Sequence, residues 1–400
     1  MSAESFRVAV HSDDYFPNIG GVATHVHELT AALVNLDVRA AVITGKPPIA
    51  DKPSLKFRSE PGPPPVLRLS KQPPIFARYY AAACRKAIQE ALAAANDEPL
   101  IFHSHYHQPW WVDSSWPQVF TNHTSMFLQE VGLGRTEYWR KRLSVFDAFI
   151  APSTELAQGM VDLGVAEDRV TYIPNGVDAE KFQPNAEARA AVRQRLEIAE
   201  DAIVLLSARR IVPKNGVIDL VHALRYLEPQ VDASKLAKVV LVIAGNEPKP
   251  ICSYQPETLE SLRRTDLGRK ALVLGEVPNH DMPELFAAAD ISVLPSLKEA
   301  TSIAGLEAMA SGVPLVGTKV GGVPDLITDE EDGLLVDHGN SVELAAALAK
   351  MINNDQLRQT MSRRVREKAA TQFSWETIAK RTMDVYRQAR ELAAERNQNQ

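Results

Sequence analysis

The feature that most constrains this 400-residue chain is a rhythm that runs through it twice. Short runs rich in Val, Ile and Leu alternate with longer segments of helical periodicity. Runs too short for helices and without alternating polar positions suit strands covered on both faces, as in parallel sheets joined by crossover helices. The first series predicts strands over 7–12, 40–44, 101–104, 119–122, 149–153 and 171–174. The second predicts them over 202–208, 239–244, 272–274, 291–295, 315–317 and 334–336. Between the two runs IPNGVDAEKFQPNAE, whose Pro174, Asn175, Gly176 and Pro184 suit a turn and linker. The expected fold is therefore α/β, with two Rossmann-like domains facing across a cleft, residues 1–180 and 181–375, and a hinge over 175–182. The length agrees, being more than one core usually supports. In the tail, Trp375, Ile378, Met383 and Tyr386 recur at the spacing of one helical face. A helix over 376–392 is expected to dock back on the first domain, followed by a frayed polar end.

Composition removes several classes of function. An apolar fraction of 45% and a charged fraction of 24% are those of an ordinary globular protein. A net charge of −6 without a long basic run lacks the electrostatic footprint of a nucleic-acid binder. Cys84 and Cys252 stand far apart, which indicates neither a disulfide framework nor a thiolate metal site. The start MSAESFRVAVHS leads straight into a strand and no apolar run reaches spanning length, so a cytoplasmic protein is expected. Residues 46–74 carry Pro47, Pro48, Pro53, Pro61, Pro63, Pro64, Pro65, Pro73 and Pro74, which predicts a long surface loop. That loop adds Lys52, Lys56, Arg58, Arg68 and Lys71 to a following stretch with Phe76, Arg78, Tyr79, Tyr80, Arg85 and Lys86. Such a surface reads either as a plain solvated face or as peripheral contact with an anionic lipid at the inner face of a membrane. The sequence does not specify an oligomeric state.

The segment EATSIAGLEAMASGVPLVG holds two carboxylates in an almost apolar setting. Glu299 falls in the loop after the 291–295 strand, and Glu307 in the second turn of a helix over 303–311. The first amides of that helix, Ile303 and Ala304, have no partners within it and lie at its positive end, which suits a diphosphate. Carboxylates before and after such an anion site can accept hydrogen bonds from hydroxyls on both sides of it. A sugar joined to a nucleotide has hydroxyls there. The plainer alternative is a solvated loop residue and an exposed helix residue, but Glu307 sits among Ile303, Ala304, Leu306, Ala308, Met309 and Ala310.

At these residues the chain resembles a family. Glu299 and Glu307 match the E-x7-E motif of retaining glycosyltransferases of the GT-B fold, group 4, and EAMASGVPLVGTKVGGVPDLI is similar to what surrounds that motif. The resemblance runs from YFPNIGGVATHVHELTAAL through IPNGVD and VPNHDMPELFAAADISVLPS to FSW. It implies a nucleotide-sugar donor on the C-terminal domain and an acceptor, unidentified, on the N-terminal one. It assigns Glu299 to hydroxyls of the donor sugar, Glu307 to the ribose, and the Ile303 and Ala304 amides to the diphosphate. The family writes G-R-L-x-x-x-K-G after the first strand of this domain, where the chain has ARRIVPKNGV. With Gly216 as the motif glycine, Arg210 takes the place of the family Arg, Asn215 that of the family Lys, and Lys214 stands one residue early. Arg210 and Lys214 are then the cations expected to meet charge on the departing diphosphate. Ala300, Thr301 and Ser302 also replace an aromatic and glycine pattern.

In the N-terminal half, Gly20 and Gly21 of PNIGG allow close approach of backbone to phosphates or acceptor, with a plain tight turn as the alternative. The absence of G-x-G-x-x-G weighs against a nicotinamide dehydrogenase. His123, at a strand end in FTNHTSMF, resembles the family histidine that contacts the transferred sugar. His103, His105 and His107 alternate in IFHSHYHQPWW, but no acidic or thiolate partner is near in sequence and no D-x-D motif occurs, so neither metal nor cofactor is expected. Trp110 and Trp111 suit either a sugar platform or core packing. The resulting expectation is a retaining, metal-independent hexosyltransferase using a nucleotide-diphosphate sugar. Its rivals are a nucleotide-sugar epimerase and a noncatalytic nucleotide-sugar-binding protein on the same plan.

Overall fold

The computed structural model describes residues 6–16, 20–45, 58–60, 64–69, 77–93, 99–105, 108–109, 111–124, 126–246 and 256–398. His107, Trp110, Cys252, Phe76, Lys52, Lys56 and Lys71 lie outside them, as do all of the loop prolines above except Pro64 and Pro65. The chain divides into Met1–Gly176 with Trp375–Gln400, and Val177–Ser374.

The first unit carries strands β1 (Arg7–His11), β2 (Arg39–Gly45), β3 (Arg58–Glu60), β4 (Val66–Leu69), β5 (Leu100–Ser104), β6 (Gln118–Thr121), β7 (Ala148–Ala151) and β8 (Val170–Tyr172). Their order across the sheet is β3-β4-β2-β1-β5-β6-β7-β8. Every pairing is parallel except β3 with β4. The order therefore reverses between β1 and β5, the point at which ligands of open α/β sheets bind beyond the strand ends. Alternate residues feed the two faces: Val8 and Val10 pack with Leu29, Leu33 and Tyr386, whereas Ala9 packs with Phe102, Ile88 and Cys84.

β3 and β4 depart from the expected structureless loop. Val66 to Leu69 is a short run rich in Val and Leu that pairs in parallel with β2 and antiparallel with β3, and Pro65 stands just ahead of it, at a strand start where proline is tolerated. Arg68 is correspondingly buried, at 8% exposure, and donates from Nη2 to the Phe16 carbonyl at 2.8 Å, so it does not belong to a displayed basic surface. Trp111 is buried too, edge-on to His11 and Phe102, which decides for packing over a sugar platform.

The helix Trp375–Gln398 belongs to this first unit. Trp375, Ile378, Val385, Tyr386 and Ala389 are buried along its inner stripe. It runs past the expected end at 392 because its last turn is tied down: Arg396 pairs with Asp147 at 2.6 Å and donates to the Ser114 carbonyl at 2.7 Å.

The second unit has strands β9 (Ile203–Ser207), β10 (Val239–Ala244), β11 (Leu272–Gly275), β12 (Ile291–Leu294), β13 (Leu315–Thr318) and β14 (Gly333–Val336), all parallel, in the order β11-β10-β9-β12-β13-β14. This is the doubly wound order, with its reversal between β9 and β12. Leu205 and Leu206 face opposite cores, one with Leu224 and Leu348, the other with Leu306 and Phe286. No helix among the described residues is long and apolar enough to cross a membrane.

Candidate active site

In the second unit the loops after β9 and β12 leave adjacent strands on the same side of the sheet, and Glu299 lies in the later one. Its carboxylate forms an ion pair with Nη2 of Arg209, with side-chain exposures of 13% and 10%. The same nitrogen donates to Ser296 Oγ at 2.8 Å and to Asn215 Oδ1 at 3.1 Å, while Nη1 reaches Ser302 Oγ at 3.4 Å. Asn215 in turn donates to the Arg210 carbonyl at 2.8 Å. One guanidinium thus ties both loops to the helix that follows. Two amides close the arrangement: Leu297 and Lys298 donate to the Lys214 carbonyl at 2.8 and 3.1 Å.

Backbone geometry admits these contacts only with glycine at two positions. Gly216 has φ 63°, and a Cβ there would lie 1.8 Å from the Pro295 carbonyl oxygen. Gly321 has φ 52°, and its Cβ would lie 1.6 Å from the Glu299 carbonyl oxygen. Both glycines face the loop after β12, so Glu299 sits on backbone that other chain segments press from two sides.

Arg209, not Arg210, is the residue that holds Glu299, which the sequence reading did not foresee. Both lie past the end of β9, with Arg209 at a bend, and of the adjacent pair Arg209 turns inward and Arg210 outward. Arg210 and Lys214 are exposed, and among the described residues their side chains have no partner. They are two uncommitted cations beside a committed one.

The helix Ile303–Ala310 begins where expected. Ser302 caps it, its Oγ accepting from the Gly305 amide at 3.1 Å. The Ile303 and Ala304 amides precede the helical ladder and remain available. Two buried polar atoms here lack a hydrogen-bond partner, Arg209 Nε and Thr301 Oγ1. Glu307, one turn into the helix, is partly accessible yet surrounded by protein, and burial pushes its pKa up to about 8 against a smaller opposing pull from the Lys181 charge.

In the first unit, the strand ends at the β1/β5 reversal gather histidines. His123 follows β6, His105 follows β5, and His25 lies on the helix Gly21–Asn35. Nδ1 of His105 and Nε2 of His123 share a hydrogen bond of 2.8 Å, and the rings stack at 5.1 Å and 17°. His25 meets the His123 ring edge-on at 4.5 Å and donates from Nδ1 to Asn175 Oδ1 at 2.8 Å. His103, beneath them, is held by Thr121 at 2.7 Å and Tyr386 at 2.9 Å. Burial holds all four rings neutral: His25 is pushed down to about 4, His103 to about 3, and His105 and His123 well below the usual value, with neighbouring rings adding to the effect on His103, His105 and His123.

The sequence grouped His103, His105 and His107, whereas the fold joins His105 to His25 and His123, with one nitrogen of each within 4.8 Å of the others. His25 had a signal of its own, since it lies on the apolar stripe with Leu29 and Ala32. The 2.8 Å between His105 and His123 is the spacing of a shared proton; two nitrogens on a tetrahedral zinc stand about 3.3 Å apart. Gly20 caps the helix in an extended conformation, φ −170°, and Gly21 is its first residue.

Comparison with known proteins agrees with this architecture. Residues 19–181 match the model of Glycosyltransferase Family 4, and residues 188–368 that of Glycosyl transferases group 1. The D-inositol 3-phosphate glycosyltransferase of Saccharomonospora viridis is 32% identical over 307 residues, 72% of this chain and 70% of that one. The chain belongs to the group 1 and family 4 glycosyltransferases. A second D-inositol 3-phosphate glycosyltransferase, from Xylanimonas cellulosilytica, is 27% identical over 397 residues, 92% of either chain. Among solved structures, this glycosyltransferase resembles Anabaena HepE, determined with UDP and glucose, with a TM-score of 0.73 at 20% identity, over 95% of this chain and 99% of that one. Sucrose-phosphate synthase from Thermosynechococcus elongatus gives a TM-score of 0.70 at 22% identity, over 96% and 98%. Both likenesses establish the GT-B fold.

Proposed function

We propose that this glycosyltransferase is a retaining enzyme that moves a hexosyl unit from a nucleotide-diphosphate sugar to an acceptor hydroxyl without a metal ion. The observation that carries the reading is the arrangement around Glu299: a carboxylate held by Arg209, two free cations beside it, and helix amides next to it. Each part has a task in such a reaction. Glu299 accepts hydrogen bonds from hydroxyls of the transferred sugar, and Arg209 fixes its direction. Arg210, Lys214 and the amides of Ile303 and Ala304 meet the charge that grows on the diphosphate as it leaves. Glu307 accepts from the ribose hydroxyls. His123 offers a hydrogen bond to a sugar oxygen.

The chemistry that fits these roles is attack on the face the diphosphate leaves. The bond from the anomeric carbon to the phosphate oxygen breaks, the bond to the acceptor oxygen forms on that side, and the acceptor proton passes to the departing phosphate. A covalent enzyme adduct finds no support, because Glu299 is committed to Arg209 as its orienting partner. UDP-sugars are the first donors to try, since HepE was solved with UDP and glucose. An inositol phosphate is the first acceptor, since relatives are named for it.

The test is a product screen of purified protein with UDP-, GDP- and ADP-sugars and a panel of polyol phosphates, glycans and lipids, with anomeric configuration read by proton NMR. Transfer with retained configuration, lost in Glu299→Ala, is expected. Inverted product would overturn the stereochemistry. Donor conversion without an acceptor would make the protein an epimerase, and binding without turnover a noncatalytic one.

A further inference from the structure

We infer that His105 is a positioning residue: it carries its proton on Nδ1, donates it to Nε2 of His123, and so fixes His123 with its own proton on Nδ1, as a hydrogen-bond donor toward substrate. Three observations lead there. First, the contact is between Nδ1 of His105 and Nε2 of His123, at 2.8 Å, so one of these two nitrogens carries the hydrogen and the other does not. Second, Nε2 of His105 is buried and has no hydrogen-bond partner. Were His123 the donor, a neutral His105 would have to carry its hydrogen on that nitrogen, leaving a buried N–H unsatisfied. With His105 as donor the orphan is only a bare lone pair. Buried orphan N–H groups are the rarer of the two in folded proteins. Third, the rings are neutral, so each carries a single hydrogen, and the assignment on one ring determines the other.

The surroundings hold the pair in that state. The His103 ring packs against His105 at 4.3 Å, tilted by 36°, and is itself fixed at both nitrogens by Thr121 and Tyr386. On the other side, Asn175 Oδ1 can only accept, so His25 carries its hydrogen on Nδ1 and turns an edge to His123. Nδ1 of His123 is the ring nitrogen left over: it has no partner among the described residues, and the residue is only half-buried. A residue whose remaining nitrogen always presents a hydrogen suits an oxygen that gains electron density during reaction. A residue free to switch tautomers would spend part of its time presenting a lone pair.

That His123 faces a sugar oxygen rests on the proposed transferase reading; the proton assignment does not. The experiment separates the two. Protein labelled with nitrogen-15 in its histidine rings gives a long-range proton–nitrogen spectrum in which bare and protonated ring nitrogens resonate far apart. Wild-type His123 is expected with a protonated Nδ1 and a bare Nε2. His105→Phe keeps the ring volume, removes the donor and offers an aromatic face that an N–H can approach, so the His123 proton should move to Nε2, the nitrogen a free neutral imidazole side chain prefers, in most molecules. His105→Asn restores an N–H at that place and should return the wild-type pattern. In turnover, His105→Phe should lower kcat about tenfold, as for a competent form populated one time in ten, with donor KM nearly unchanged and recovery in His105→Asn. A wild-type spectrum with the proton on Nε2 of His123, or a His105→Phe spectrum with it still on Nδ1, overturns the inference. Should His105→Phe not fold, the wild-type spectrum alone decides. Should no donor support transfer, the function fails while the spectrum still settles the tautomer.

Discussion

Arg209 and Glu299 stand 90 residues apart in the chain and meet as an ion pair at the reversal point of the second sheet, both nearly out of contact with solvent. Removing one partner of such a pair leaves the other charge buried and alone, at a cost of about 3 kcal/mol or more, whereas removing both is milder. Urea denaturation of Arg209→Met, Glu299→Gln and the double variant should show the double variant no less stable than either single one. Additive losses would mean that the two side chains act independently.

The adjacent cations should behave differently. Arg210→Ala and Lys214→Ala remove exposed charges with no partner in the protein, so stability should stay within about 0.5 kcal/mol of wild type. Their effect belongs to turnover: a lower kcat/KM for the donor, by about tenfold or more each, with a shallower dependence on salt than wild type, because the charge that salt screens is gone. Equal loss of thermal stability in Arg209→Met and Arg210→Ala would contradict the division of labour between neighbours.

Glu307 ties donor binding to pH. Its pKa, raised to about 8 by burial, keeps the carboxyl protonated at neutral pH without ligand. Ribose hydroxyls that donate to it favour the carboxylate, so binding should release close to one proton at pH 7. Calorimetric titration of nucleoside diphosphate in buffers of different ionisation enthalpy reads this directly, and Glu307→Gln should abolish the buffer dependence. The stability sign follows from the same shift. Between pH 4.5 and 8 the folded state keeps a proton that the unfolded chain gives up, so this group's contribution falls as pH rises through that window.

The histidine cluster acts in the opposite direction. Above pH 6.5 both folded and unfolded chains hold these rings neutral; below it the unfolded chain takes up protons that the folded one refuses. Each such histidine removes about 1.4 kcal/mol of stability per pH unit as pH falls from 6.5 toward 4. The urea midpoint of tryptophan fluorescence, followed from pH 7.5 to 4.5, should drop steeply, and His103→Gln should make the slope shallower by one proton. An unchanged slope would show that His103 is protonated in the folded state.

Gly216 offers a backbone test with its own control. Gly275 also has a left-handed backbone, φ 71°, but nothing lies within 4 Å of a Cβ there. Gly275→Ala should cost about 1–2 kcal/mol from the backbone alone. Gly216→Ala adds the encounter with the Pro295 carbonyl, so it should cost clearly more and disturb Glu299 as well. Equal effects on thermal unfolding would mean that the loop after β12 yields freely.

The sequence was most legible where periodicity and burial coincide. All of the expected strands are found, because a Val- and Ile-rich run flanked by helices has few other places to go. β3 and β4 were missed since proline content masked short pairings that depend on β2, a strand about twenty residues earlier. The positions of Glu299, of Glu307 and of the helix that carries Glu307 were readable from local order: strand, loop, cap, helix. Arg209 was not, because whether the first or second of two adjacent arginines turns inward depends on the twist of a loop. The His105–His123 contact was hidden for a related reason. It joins the ends of neighbouring strands, and the lengths of the intervening segments do not encode which strand ends become neighbours.

The helix Trp375–Gln398 completes the core of the first unit from beyond the whole of the second. A ribosome building this protein delivers the strands of that sheet early and the side chains of Ile378 and Tyr386 only after the entire second unit. Until then the surface over Val8, Val10 and Leu33 has no lid, although the whole second unit has already been made. The unit whose strands are translated first is therefore the one whose core waits for the other, and a nascent chain stalled before Trp375 would expose that apolar surface to chaperones.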